Sequence, residues 1–161
     1  MIDIRFWEFA LPALARGTAL TLFIALGASI IGFTLGTLLA FAHTSSTRWL
    51  SFPVTCYITI MRGTPMIIQI PFFVYYFLPL IGIKIPLLAA AIIAIGLNSA
   101  AYISQTIRSG IGSISKGQTE AASTLGLTRW QTMRFIILPQ ALTVIIPALI
   151  SEFVTLKIGR A

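Results

Sequence analysis

Residues 17–47 read GTALTLFIALGASIIGFTLGTLLAFAHTSST, 31 positions without one Asp, Glu, Lys or Arg. A helix needs about 20 mostly apolar residues to cross the hydrocarbon of a bilayer. This stretch exceeds that requirement and predicts a first membrane span over about residues 18–42. Within it Ala28, Gly32, Gly36 and Ala40 recur at four-residue steps, so they share one helix face. Side chains that small let a second backbone approach closely. The stripe is therefore expected to be a packing face.

The pattern repeats along the chain. Residues 63–83, 85–107 and 135–151 are uncharged runs of 21, 23 and 17 positions. They predict further spans over about 52–83, 86–108 and 140–156. Hydrophobic residues make up 57% of the 161 and charged residues 9%, with a mean hydropathy of +0.95. A soluble domain carries roughly 25% charged residues. Too little polar surface remains to enclose a water-soluble globule. An ordinary soluble enzyme, a disordered tail and a disulfide scaffold are all excluded. The expected fold class is an all-α, polytopic helical membrane protein, with 1–161 forming a single transmembrane domain in the lipid bilayer.

Residues 1–16 hold Asp3 and Glu8 and lack the basic start of a signal peptide. They are expected to form an interfacial lead-in, with Phe6, Trp7 and Phe9 at headgroup depth. The lone Cys56 allows no internal disulfide and no site of several thiolates. His43 opens a polar turn over 43–48 and is expected at the membrane interface. The net charge of +7 comes from basic residues beside apolar runs. No basic cluster with interleaved aromatics supports nucleic-acid binding.

The second predicted span contains Pro65, Pro71 and Pro79. Proline removes a backbone donor, so an interrupted helix is expected. In lipid such a break is tolerated only where protein or a water-filled cavity covers it, which points to a segment lining a pathway. On the third span Asn98, Tyr102 and Gln105 share one face by three- and four-residue spacing. They either bond between helices or line a solute path, with Arg62 and Thr64 near its cytoplasmic mouth.

Residues 109–138 are polar. They predict two short helices, 116–125 and 129–138, inside a hairpin over 115–138. Ser115 with Gln118 and Thr128 with Gln131 read as capping boxes. Gly126 between them fits the left-handed C-terminal position. Arg48, Arg62, Arg108, Lys116, Arg129 and Arg134 would share one side of the membrane, against Arg5, Arg16 and Lys84 on the other. That asymmetry places the hairpin in the cytoplasm. No catalytic constellation occurs. There is one histidine and one cysteine, the acids stand apart at positions 3, 8, 120 and 152, and no phosphate-binding loop is present. The expectation is a non-enzyme without a metal site, so uphill transport would need a partner or an ion gradient.

Glu120-Ala121-Ala122, then Gly126, Ile136 and Leu138-Pro139 resemble, position for position, the EAA motif in permease subunits of ATP-binding-cassette importers. Arg62-Gly-Thr-Pro65, Leu97-Asn-Ser-Ala-Ala-Tyr102, Gly117-Gln-Thr-Glu-Ala-Ala122, Ile137-Leu-Pro-Gln-Ala141 and Glu152-Phe153 are similar to the polar amino-acid uptake subfamily. The resemblance implies a type I importer permease bundle in a bacterial inner (plasma) membrane, working as a homo- or heterodimeric pair. It implies uptake of a polar amino acid from an extracytoplasmic binding protein. A separate ATPase subunit would carry ATP and Mg, and no cofactor would be bound by this chain. Glu120, Ala121, Ala122, Gly126, Leu138 and Pro139 would couple to the ATPase.

The sequence departs from the family's pattern in three places. Gln105 stands where Glu is usual, and Ser151 where Asn is usual. After Glu152-Phe153 the family continues into a last complete span, whereas Thr155–Ala161 leaves the pattern. The resemblance is thus to a C-terminally truncated permease, a disrupted gene product or a partial gene model. Two alternatives accompany it. One is a non-functional relic or membrane scaffold. The other is an ion-coupled secondary transporter, which would need intramembrane acids that the first three spans lack.

Overall fold

The computed structural model describes residues 4–44 and 47–158, with side chains described over 7–44 and 47–154. The readings of Asp3, and of the side chains of Arg5, Phe6 and residues 155–161, lie outside these residues.

Helix α1 (Ile4–Thr44) is unbroken. The expected interfacial lead-in continues into the span as one helix, with Pro12 accommodated in its early turns. Three threonines within the apolar run satisfy their hydroxyls locally. Thr21, Thr34 and Thr37 each donate to the carbonyl four residues back, at 2.7–2.8 Å. Such bonding leaves none of these three hydroxyl donors unpaired in lipid.

Helix α2 (Arg48–Gly63) ends where Thr64 turns extended, at φ −116° and ψ 140°. The ring of Pro65 causes this, because a residue before proline is driven out of the helical region. The chain resumes as α3 (Met66–Pro71), and the axis is bent by 109° across the break. Of Pro65, Pro71 and Pro79 in the predicted second span, only Pro65 interrupts it. A π-helical turn, Phe72–Phe77, leads into the short α4 (Leu78–Leu80). Leu78 N–H donates to the Phe73 carbonyl, and Pro79 follows at once. The same device recurs near the C-terminus, where Leu138 N–H donates to Met133 just before Pro139. Widening the turn moves away the carbonyl that the proline ring would strike.

Gly82, at φ +74°, closes α4. Its N–H bonds to Pro79 and that of Ile83 to Leu78, both at 3.0 Å. Helix α5 (Leu87–Gly112) starts after Pro86 and is the centre of the bundle. The short α6 (Lys116–Thr124) precedes α7 (Arg129–Thr132), the π-helical turn Met133–Ile137 and α8 (Leu138–Ile158), which run on without interruption. The second hairpin helix therefore does not stop at 138, and Pro139 lies inside a continuous helix. Among the described residues, three helices are long and apolar enough to cross a membrane, or four with the bent α2–α3 pair counted as one span.

The small-residue stripe of α1 packs on α5. Ala28 and Ala40 are buried, and Gly32 and Gly36 lie between them. A Cβ on Gly32 would stand 2.8 Å from Ser99 Cβ, and one on Gly36 2.8 Å from Ile103 Cβ. The fit is reciprocal, since a Cβ on Gly96 would meet Ile31 at 2.8 Å. The two helices run parallel. Gly27 lies against Ile92 at one end and His43 against Arg108 at the other, 65 positions apart in each case. Helix α8 returns antiparallel to α5, with Ile145 filling the space beside Gly110.

Candidate solute path and docking hairpin

Breaking a helix inside a membrane exposes carbonyls that have lost their partners. Gln69, one turn after the break, meets them. Its Nε2 donates to Met61 O at 2.8 Å and Thr64 O at 3.0 Å, and also contacts Thr64 Oγ1. Asn98 on α5 completes the junction. Its Nδ2 donates to Gln69 Oε1 at 2.7 Å and to Met61 O at 3.3 Å. Asn98 is 2% exposed. Tyr57 adds a second tie, donating to Leu97 O at 2.6 Å.

Of the five expected path residues, Thr64 and Asn98 meet at this junction through Gln69. Arg62 and Tyr102 meet one another, the guanidinium lying 5.3 Å from the ring centroid. Such stacking on an aromatic face is favourable for a cation. Arg62 and Gln105 line a cavity of about 390 Å³ together with His43 and Arg108. Thr64 and Gln69 line a second cavity of about 400 Å³, otherwise walled by apolar side chains such as Phe72, Phe73 and Phe77. The junction thus divides a polar cavity from an apolar one. His43 is buried at the end of α1 and is bonded by the Arg108 guanidinium. Sequence reasoning missed Gln69 and this pairing. Gln69 did carry a signal, as a lone amide four residues after a proline in an uncharged run.

The hairpin residues divide by exposure. Glu120 and Ala121 are exposed, and Ala122 is fully buried within the chain. Gly126 has φ +74°. Its N–H bonds to Ser123 O and that of Leu127 to Ala122 O, both at 3.1 Å. This paired closure caps α6 and sets the turn into α7. Thr128 and Gln131 form the expected capping box, with Thr128 N–H donating to Gln131 Oε1 at 2.8 Å. Ser115 and Gln118 do not. Ser115 Oγ accepts from Gly117 N–H, and Gln118 Oε1 accepts instead from Gln140 on α8 at 3.3 Å. That cross-link holds α6 against the start of α8, beside the exposed Leu138 and Pro139. Among the described residues no group of three or more His, Cys, Asp or Glu could hold a metal.

The sequence profile of the binding-protein-dependent transport system inner membrane component matches residues 32–160. The chain belongs to that family. As a family member it is a multi-pass inner-membrane protein and an importer permease subunit. It is 40% identical over 158 residues to the probable amino-acid ABC transporter permease protein YckA of Bacillus subtilis, covering 92% of this chain and 70% of that one. It is 42% identical to the arginine transport system permease protein ArtQ of the same organism, covering 91% and 67%. The putative glutamine transport system permease protein GlnP of Rickettsia prowazekii is 40% identical, over 88% and 65%. The chain spans about two thirds of the length of these relatives.

Among solved structures, a crystal structure of an amino acid ABC transporter with histidines superposes with a TM-score of 0.88 at 36% identity. The match covers 98% of this chain and 73% of that one. The MetNI methionine ABC transporter, in an inward-facing conformation, matches with a TM-score of 0.74 at 25% identity, over 93% and 72%. The family's fold, a type I importer permease bundle, is the fold of this chain.

Proposed function

We propose that this permease subunit translocates a polar amino acid handed over by an extracytoplasmic binding protein. It pairs with a second permease, identical or different. ATP and Mg are bound by a separate ATPase subunit, and the chain itself carries out no catalysis. The names of its relatives, which transport arginine, glutamine or amino acids in general, support the substrate class.

The observation that carries the coupling role is the exposed Glu120–Ala121 edge on a turn closed by Gly126. A nine-residue helix is marginal by itself in water, and α6 is held by the buried Ala122 and by the bond between the exposed Gln118 and Gln140. Its outer edge is left for a partner. In this reading Glu120, Ala121, Ala122, Gly126, Leu138 and Pro139 form the ATPase-docking element. Arg62, Thr64, Asn98, Tyr102 and Gln105 border the solute path on the side of α5 that meets α2 and α3.

A cysteine at Glu120 in the assembled importer, with Cys56 removed, tests the first assignment. It should crosslink to the ATPase subunit and not to the binding protein. Crosslinking to the binding protein alone would reverse the orientation and the role.

A further inference from the structure

Two guanidiniums, an imidazole and three neutral polar side chains converge on the cavity of about 390 Å³: Arg62, Arg108, His43, Thr55, Thr59 and Gln105. No Asp or Glu lines it among the described residues. Arg62 spends its charge on the Tyr102 ring and Arg108 on the His43 ring, so neither cation faces a carboxylate there. Paired cations without an acid make a site complementary to an oxyanion, because guanidinium donors match carboxylate and phosphate geometry.

The surroundings decide between oxyanions. His43 stands in the last turn of α1, and Arg108 in the last turns of α5. The cavity therefore lies at the boundary of the membrane on the side that carries the hairpin. Helix α2 forms its outer wall. Along α2, Arg48, Phe52, Thr55, Thr59 and Arg62 follow one another at steps of four and three and share one face. All five are exposed, while Val54 and Ile58 on the adjoining face are buried, and Ile58 also lines the cavity. Trp49 beside them is 94% exposed and Phe52 70%. Exposed aromatics next to arginines mark headgroup depth. Basic pockets between membrane helices on the cytoplasmic side hold anionic headgroups.

We propose that this cavity is an oxyanion site for the phosphate of an anionic phospholipid. Arg62 and Arg108 hold the headgroup, and its acyl chains lie along the Trp49–Phe52 flank of α2. The site shares Arg62 and Gln105 with the solute-path reading, whereas Arg108, His43, Thr55 and Thr59 lie outside that set. A soluble phosphate or a carboxylate shares the chemistry and lacks the chains.

Native mass spectrometry of the full chain in neutral detergent tests it, using phosphatidylglycerol against phosphatidylethanolamine. The wild type should retain phosphatidylglycerol in preference, and an Arg62→Gln/Arg108→Gln variant should lose that preference by roughly tenfold. Arg129→Gln, outside the cavity, should keep it. A photoreactive side chain in place of Thr59 leaves both arginines intact and should crosslink to phosphatidylglycerol, which guards against misfolding of the double variant. Equal retention of the two lipids by the wild type would overturn the proposal. So would unchanged retention in the double variant, or displacement of the lipid by inorganic phosphate or glutamine at equal concentration.

Discussion

Asn98 Nδ2 donates to Gln69 Oε1 at 2.7 Å and so fastens the break in the second span to the centre of the bundle. The bond lies where Met61 and Thr64 have lost helical partners, and one amide on each side supplies what the backbone lacks. A buried polar junction of this kind is costly to leave half made.

Replacing Gln69 by Leu should therefore destabilise the chain by about 1–3 kcal/mol, because the Met61 carbonyl, the Thr64 carbonyl and the Asn98 amide each lose a bond. Thermal unfolding in detergent measures the loss. Gln69→Leu combined with Asn98→Leu should cost less than the sum of the two single changes. Strict additivity would mean that the two amides act separately.

The α1–α5 contact gives a prediction about size alone. Gly32→Val and Gly36→Val put carbon within 2.8 Å of Ser99 and Ile103. Overpacking of this kind costs about 1–3 kcal/mol. Gly17→Ala, with nothing within 4 Å of its Cβ, should leave the melting temperature unchanged or slightly higher. The contrast between glycines on one helix is the measurement.

At the hairpin, Gly126→Val places a β-branched residue at φ +74°. The strain is about 1–2 kcal/mol. In an assembled importer it should uncouple ATP hydrolysis from uptake while membrane insertion stays intact. Gly112→Ala, at an ordinary helical φ with open space around it, should leave coupling unchanged. Thr128→Ala removes the observed capping box and should cost about 1 kcal/mol, read as faster proteolysis of the hairpin.

Thiol labelling separates the path residues. With Cys56 removed, a cysteine at Gln105, which lines the polar cavity, should react fastest with a small polar reagent. One at Tyr102, beneath the Arg62 guanidinium, should be slower, and one at the buried Asn98 slowest. The reverse order would place the aqueous route on the other side of the junction.

The sequence was most legible where one residue type permits only one geometry. The stripe from Ala28 to Ala40 announced close packing, Gly126 announced a left-handed turn, and Thr128 with Gln131 announced a cap. Prolines were harder, because Pro65, Pro71 and Pro79 look alike in a string of letters. Only Pro65 interrupts the helix, while the π-helical turn lets the chain carry Pro79 onward. Ser115 and Gln118 have the spacing of a capping box, but Gln140 competes for the same amide across 22 positions. Pairings over such separations, like Gln69 with Asn98 and His43 with Arg108, depend on how helices stack. Local spacing carries no trace of them.

The interlock of Gly32 and Gly36 with Ser99 and Ile103, answered by Gly96 against Ile31, has a mechanical meaning. Side chains seated in glycine notches from both directions prevent α1 and α5 from sliding past each other, since each notch would have to be vacated at once. The two helices move as one stiff strut. Any rearrangement that opens or shuts a route for solute must then be taken up elsewhere, at the Thr64–Pro65 elbow. The parts of the chain free to hinge are those that the strut does not hold.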